Sequence, residues 1–159
     1  MTVVSLVDVA SYLPPNRVGV EWFAQFADSD DPLKDSVMFR APRYRHHVAR
    51  EESAADLVEK GARALLDRHG GDLAKDIDIV LTNVLMPDLP FTGVGAEVAH
   101  RIGARPEWVI DHHNGGCASF VGMMKLAQAL ISSSSARTAL ICTVQNCAGS
   151  SRAPMPSTP

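Results

Sequence analysis

No run of apolar residues among the 159 is long enough to span a bilayer. The N-terminal MTVVSLVDVASYLPP has neither the basic start nor the long apolar block of a secretory signal. A cytoplasmic protein with reduced thiols and no membrane partner is therefore expected. Cysteine is scarce: three residues, Cys117, Cys142 and Cys147, an odd number that argues against a disulfide framework. No CxxC or HExxH spacing occurs, and Cys142 and Cys147 read as packing residues, so no metal is expected. An excess of one charge sign is missing too. Fifteen Lys and Arg stand against 18 Asp and Glu, which leaves no electrostatic footprint for nucleic acid. The arginines between Arg40 and Arg50 are followed at once by Glu51 and Glu52, which favours local ion pairs over a polyanion site. There is no internal repeat, and the one low-complexity stretch is Ser132 to Ser135.

What is present is a globular composition, 46% hydrophobic and 21% charged, with enough chain for a real core. VVSLVDVASYLPP reads as a β-branched opening strand ending at Pro14-Pro15, and EWFAQFAD as a short helix. ESAADLVEKGARALLDRHGG is the clearest amphipathic helix. Ala54, Leu57, Val58, Gly61, Ala62, Leu65 and Leu66 share one face, Ser53 is a candidate cap (with Glu51 or Glu52 as alternative starts), and Gly70-Gly71 is the stop. IDIVLTNVLM has the length and continuity of a strand covered on both faces. TGVGAEVAHRIGA reads as a helix, EWVIDHHN as a short strand, the residues after Cys117 as a helix, and RTALICTVQN as a last strand. From Ile77 the order is β-α-β-α-β, which implies a mostly parallel sheet with helices on its faces. The tail AGSSRAPMPSTP has no periodicity and reads as a loop or linker.

The stretch DHHNGGCASFVGMMKLAQALI carries the chemistry. Gly115 and Gly116 suit a sharp strand-to-helix turn, which places Cys117 at a helix N-terminus. Unpaired N–H groups and the helix dipole there favour an anion, hence a thiolate. The same groups suit the oxyanion of an acyl-transfer intermediate. The helix that follows is apolar almost all round, interrupted by Lys125 and Gln128, so it is expected to be buried with Cys117 deep in the molecule, reached by a tunnel. A small buried hydrophobe is the competing reading of any free cysteine, and the residues alone leave both open.

PDLPFTGVGAEVAHRIGA…WVIDHHNGGCASFVGMMKLAQALI resembles the β-ketoacyl-acyl carrier protein synthase III family of thiolase-fold enzymes. The matching pieces are Pro87-Asp88, Ile102-Gly103, Asp111 and Gly116-Cys117-Ala118-Ser119-Phe120. RYRHHVAREESAADLVEKGARALL is similar to the family's Arg-rich turn and first long helix, and YLPPNRV fits its opening. The resemblance implies an α/β, thiolase-like fold: one half of an α-β-α-β-α sandwich with a mostly parallel sheet. Residues 1–149 would form the N-terminal half and 150–159 a loop or linker.

The resemblance also implies roles. Cys117 would be the acyl-accepting nucleophile, with its backbone N–H in the oxyanion hole. Phe91 would lie on a loop reaching the partner's acyl tunnel in a homodimer, with ordinary core packing as the other reading. The family's coenzyme A-binding members carry a Trp four residues before an Arg, clamping the adenine. Arg40 matches the Arg as a substrate-binding candidate, but Ser36 stands where the Trp would be. An acyl carrier protein is therefore favoured as donor over coenzyme A thioesters. His112 and His113 are expected to be hydrogen-bonded strand-end residues.

The family's assisting His and Asn belong to its second half, so a complementary C-terminal half-chain is expected as a partner. The implied activity is acyl transfer to Cys117, then decarboxylative condensation with a malonyl-type extender, without a cofactor. The alternatives are transfer to an oxygen or nitrogen acceptor, or a non-catalytic thiolase-fold subunit.

Overall fold

The computed structural model describes residues 3–24, 43–85, 87–89, 91–113 and 115–145. The chain divides into two compact units, Leu13–Arg50 and Met1–Tyr12 with Glu51–Pro159.

In the smaller unit, β1 (Asn16–Gly19) and β2 (Tyr44–His47) pair antiparallel, with Asn16 opposite His47 and Gly19 opposite Tyr44. The short helix α1 (Val20–Ala24) follows β1 and opens with the Val20 N–H donating to Arg43 O. Cross-strand packing supports the pair. The Arg17 guanidinium lies 3.2 Å above the centre of the Tyr44 ring, and Trp22 meets His47 edge-on. Arg40 and Ser36 lie outside the described residues.

The larger unit begins its regular structure at α2 (Ala54–His69). Its start is a reciprocal cap: Asp56 N–H donates to Ser53 Oγ at 3.1 Å, and Ser53 N–H donates to Asp56 Oδ2 at 2.7 Å. Ser53 is thus the cap, and neither Glu51 nor Glu52 lies in the helix. Gly70, at φ +84°, ends it. Ala54, Ala55, Val58, Ala62 and Leu66 are buried, with Leu57 and Leu65 packed partly against them.

The sheet is β4 (Trp108–Asp111), β3 (Ile79–Val84) and β5 (Ala139–Val144), all parallel with β3 in the middle. Every residue of β3 is buried. Its side chains alternate between two cores, as a pleated strand requires. Val80 and Val84 join α2 and α3 (Gly95–Ile102) on one face. Ile79 and Leu81 join Met123 and Ala127 of α4 (Ser119–Ser133) on the other. Each fully buried aliphatic side chain there contributes about 1.5–3 kcal/mol. The β-α-β-α-β order expected from Ile77 onward is the order found.

Two expectations are corrected. Residues 3–13 form no strand; Val3, Leu6, Val7 and Val9 are exposed. A β-branched run needs a neighbour for its backbone groups, and among the described residues no strand pairs with it. It is anchored by side chains instead. Asp8 accepts from Arg68 at 2.8 Å and from His69 Nε2 at 2.8 Å, contacts that hold its carboxyl down at about 2, while Arg68 also donates to Val9 O.

The second correction concerns α4. It is not buried all round: Ser119, Met123 and Ala127 are buried, while Phe120 (42%), Val121 (57%) and Met124 (38%) face outward. The described residues cover one side of this apolar helix and leave the other uncovered.

Candidate active site

The turn that carries Cys117 is built at the C-terminal end of β4. Gly116–Ala118 is one turn of 3-10 helix feeding directly into α4. Gly116 takes φ +50°, a left-handed conformation that glycine adopts without strain. Gly115 does not; its φ is −80°. Its lack of a side chain answers a different need, a close approach by His112. A Cβ at position 115 would stand 2.3 Å from the ring's Cε1.

Inside the turn, Ala118 N–H donates to Gly115 O at 3.1 Å. Ser119 donates to Gly116 O through both its backbone N–H and its Oγ, the latter at 2.9 Å. The N–H groups of Ala118 and Ser119 are therefore occupied within the turn, whereas that of Cys117, the expected oxyanion donor, makes no such bond among the described residues. No side chain caps this helix start.

Cys117 is exposed, not deep. The expectation of depth rested on α4 being enclosed, and its outward side is not. Among the described residues no histidine, carboxylate or amide is hydrogen-bonded to the Cys117 thiol, so they supply no base for it. Cys142 is the opposite case. Half-buried against the α2–α3 core, it has its thiol pushed up to about 12 by desolvation. Cys147 lies outside the described residues.

Asp111 and Asp88 have structural roles. Asp111 Oδ1 accepts from the Thr82 hydroxyl and from Gly95 N–H, the latter at 2.9 Å, so the carboxylate sits at the start of α3. Asp88 Oδ2 accepts from Ala54 N–H at 2.7 Å, at the start of α2. These two aspartates hold the two ends of the segment that carries Phe91. Phe91 itself is fully exposed, with φ +67°. A phenylalanine in that region carries about 1–2 kcal/mol of backbone strain. Core packing within its own unit is thereby excluded for Phe91.

Two residues that matter here were missed in the sequence. Thr82 and Asn83 are buried at 1% and 6% in the middle of β3. Thr82 binds Asp111, and Asn83 Nδ2 donates to His112 O at 2.7 Å. Two adjacent polar residues inside an apolar strand, LTNV, were the available signal, since buried polar groups demand partners. Among the described residues, no three His, Cys, Asp or Glu side chains gather as a metal site, and no helix is long and apolar enough to cross a membrane.

A three-stranded parallel sheet, helices on both faces and a cysteine at the start of the helix after β4 define an α/β protein with a candidate nucleophile at a strand-to-helix turn. Comparison with known proteins names the relatives. A β-ketoacyl-[acyl-carrier-protein] synthase III of Clostridium perfringens is 27% identical over 136 residues, covering 86% of this chain and 40% of its own. Its counterpart in Neisseria meningitidis is 31% identical over 132 residues, covering 82% and 40%. A crystal structure of 3-oxoacyl-(acyl-carrier-protein) synthase III superposes with a TM-score of 0.70 at 28% identity, over 86% of this chain and 40% of that one. No protein-family model matches. The chain is a homologue of the β-ketoacyl-[acyl-carrier-protein] synthase III proteins and shares their thiolase-like fold. It spans about 40% of the length of the curated relatives it matches.

Proposed function

We propose that this chain is the nucleophile-bearing part of an acyl-thioester condensing enzyme, with Cys117 as the acyl acceptor. The observation that carries the reading is the exposed thiol of Cys117 on the Gly116 turn at the start of α4, in a homologue of synthase III proteins. The thiolate attacks the thioester carbonyl carbon. The developing oxyanion is held by backbone N–H groups, that of Cys117 among them, and collapse expels the carrier thiol. In the second step a malonyl-type extender loses carbon dioxide. Its carbanion then attacks the acyl carbonyl, forms the carbon–carbon bond and returns the Cys117 thiolate.

A complementary polypeptide supplies the groups that assist this chemistry. Two observations support it: the chain's span of about 40% of its relatives, and the uncovered apolar side of α4. Residues 1–149 act as the N-terminal half. In a homodimer of completed protomers, exposed Phe91 lies on a loop that reaches the partner's acyl tunnel. Arg40 binds the donor, which is an acyl carrier protein in preference to coenzyme A, because Ser36 offers no ring to stack on adenine.

The test is acylation of the assembled protein by an acyl thioester, mapped by peptide mass. The added mass is expected on the Cys117 peptide, absent in Cys117→Ala and retained in Cys142→Ala. A label elsewhere, or full turnover by Cys117→Ala, overturns the assignment. The same acyl group offered on each carrier decides the donor: equal or faster reaction from coenzyme A removes the preference. Product analysis with malonyl, hydroxyl and amine acceptors separates condensation from transfer to oxygen or nitrogen.

A further inference from the structure

We propose that His112 is a positioning residue for the nucleophile turn, its imidazole filling a slot cut by Gly115, Ser119 and Gly122 and so setting where Cys117 stands. The proposal rests on the reading of Cys117 as the nucleophile. Gly115, Ser119 and Gly122 fall at i, i+4 and i+7, one side of a helical path, and none has a side chain larger than a hydroxymethyl. The ring spans this side. A Cβ at Gly115 would stand 2.3 Å from Cε1 and 2.8 Å from Nδ1 of His112, and 2.3 Å from Ser119 Oγ. A Cβ at Gly122 would stand 3.8 Å from Nε2, an ordinary contact.

The mount of the ring is rigid. His112 N–H donates to Thr82 O at 2.7 Å, and His112 O accepts from Asn83 Nδ2 at 2.7 Å. Both partners belong to the buried middle strand. The backbone that carries the imidazole is therefore fixed to β3, and the turn packs closely on the ring at Gly115.

The ring's own chemistry points the same way. Nδ1 is enclosed and has no hydrogen-bond partner. An enclosed N–H without an acceptor is more costly than an enclosed lone pair, so the neutral ring carries its proton on Nε2. A surface histidine would hydrogen-bond to water through both nitrogens. This one gives up a partner at Nδ1 in exchange for its place in the slot.

A double-mutant cycle tests the slot, read on the full chain in its natural assembly by the alkylation rate of Cys117 with iodoacetamide. Cys142, packed against the α2–α3 core, reports whether the fold is intact. Gly115→Ala is expected to slow Cys117 alkylation about tenfold, and His112→Ala about threefold. With the cycle run on a Ser119→Ala background, which removes the Oγ that a Cβ at position 115 would also meet, the double variant Gly115→Ala/His112→Ala is expected to recover to the rate of His112→Ala alone, because the added methyl then occupies the vacated ring position. Gly122→Ala is expected to stay within twofold of wild type. In nitrogen NMR the His112 ring should show the Nε2–H tautomer.

Additive effects in the cycle, or an Nδ1–H tautomer, overturn the proposal. If Gly115→Ala alone exposes Cys142 and the double variant does not, folding itself is rescued and the slot stands. If both expose it, the slot falls. Acylation mapping keeps the two readings apart: no acyl group on Cys117 with a coupled cycle removes the nucleophile and leaves the slot. Acylated Cys117 with an additive cycle does the reverse.

Discussion

Helices α2 and α4 are nearly equal in length, 16 and 15 residues, but the chain treats them differently. α2 has a reciprocal Ser53–Asp56 cap, a glycine stop, and an apolar face that matches the surface buried beneath it. α4 starts without a side-chain cap, carries apolar residues nearly all round, and buries three of its residues. A helix whose apolar face equals its covered face is complete within its own chain. One whose apolar coat exceeds its cover is built for a larger body. The structural helix is therefore the well-capped one, and the helix that follows the candidate nucleophile is the under-covered one.

The largest expected effect lies on the buried side of α4. Met123 is fully enclosed in one core cluster with Ile79 and Leu81. Met123→Ala should destabilise the chain by about 2–5 kcal/mol, read from urea unfolding. A loss under about 1 kcal/mol would mean that α4 is not anchored by its inner face, and the contrast with α2 would collapse.

Next comes the cap. Ser53→Ala should remove about 1 kcal/mol through α2, measured in the same way. No substitution at Ala118, the equivalent place in α4, should match it by loss of a cap, because there is none to lose.

The pH dependence of α2 is smaller. The Arg101 guanidinium at 2.7 Å, and then the Ser53 N–H, hold the Asp56 carboxyl down at about 2. A depressed carboxyl stabilises the fold above its unfolded value, near 4, and loses that contribution as pH falls toward 2. Acid titration of Asp56→Asn should lack this component between pH 4 and 2; an unchanged acid profile would assign the transition to other carboxylates.

The smallest effect on stability belongs to the outer side of α4. Val121→Glu should change the stability of the chain by no more than about 0.5 kcal/mol, since the side chain is already in solvent. The same change should abolish co-purification with the completing polypeptide proposed above. A large loss of stability in the chain alone would show that the outer face is covered after all, and α4 would then resemble α2.

The contrast also explains which parts were legible in the sequence. α2, β3 and the β-α-β-α-β order could be read because their apolar period is satisfied by neighbours within this chain. Phe91 is reached through the family resemblance alone; Cys117 could be picked out as a candidate because its glycine turn is written in consecutive residues. The exposure of Cys117 could not, because an apolar coat tells how much a helix buries in its final body and not what covers it here. The opening segment failed for the same reason: its β-branched residues announce a strand, but strand formation depends on a distant partner. Asp88 on Ala54 N–H and Asp111 on Gly95 N–H span 34 and 16 residues, and no local pattern records such pairings. Gly115 reads as backbone freedom in the sequence, whereas the space it leaves is taken by His112, a contact between side chain and backbone that spacing does not reveal.

The middle position of β3 has a consequence for how the protein is made. Ile79 pairs with Trp108 on one side and with Ala139, sixty residues further on, on the other. At about 5–20 residues per second of synthesis, the second neighbour emerges several seconds after β3 has left the ribosome. Until then the strand that ends up wholly buried has an open edge, and pairings this distant form slowly even once both strands are present. The nascent chain must therefore pass through an interval in which VLTNV is available to chaperones and to other chains, and that interval closes with the synthesis of β5.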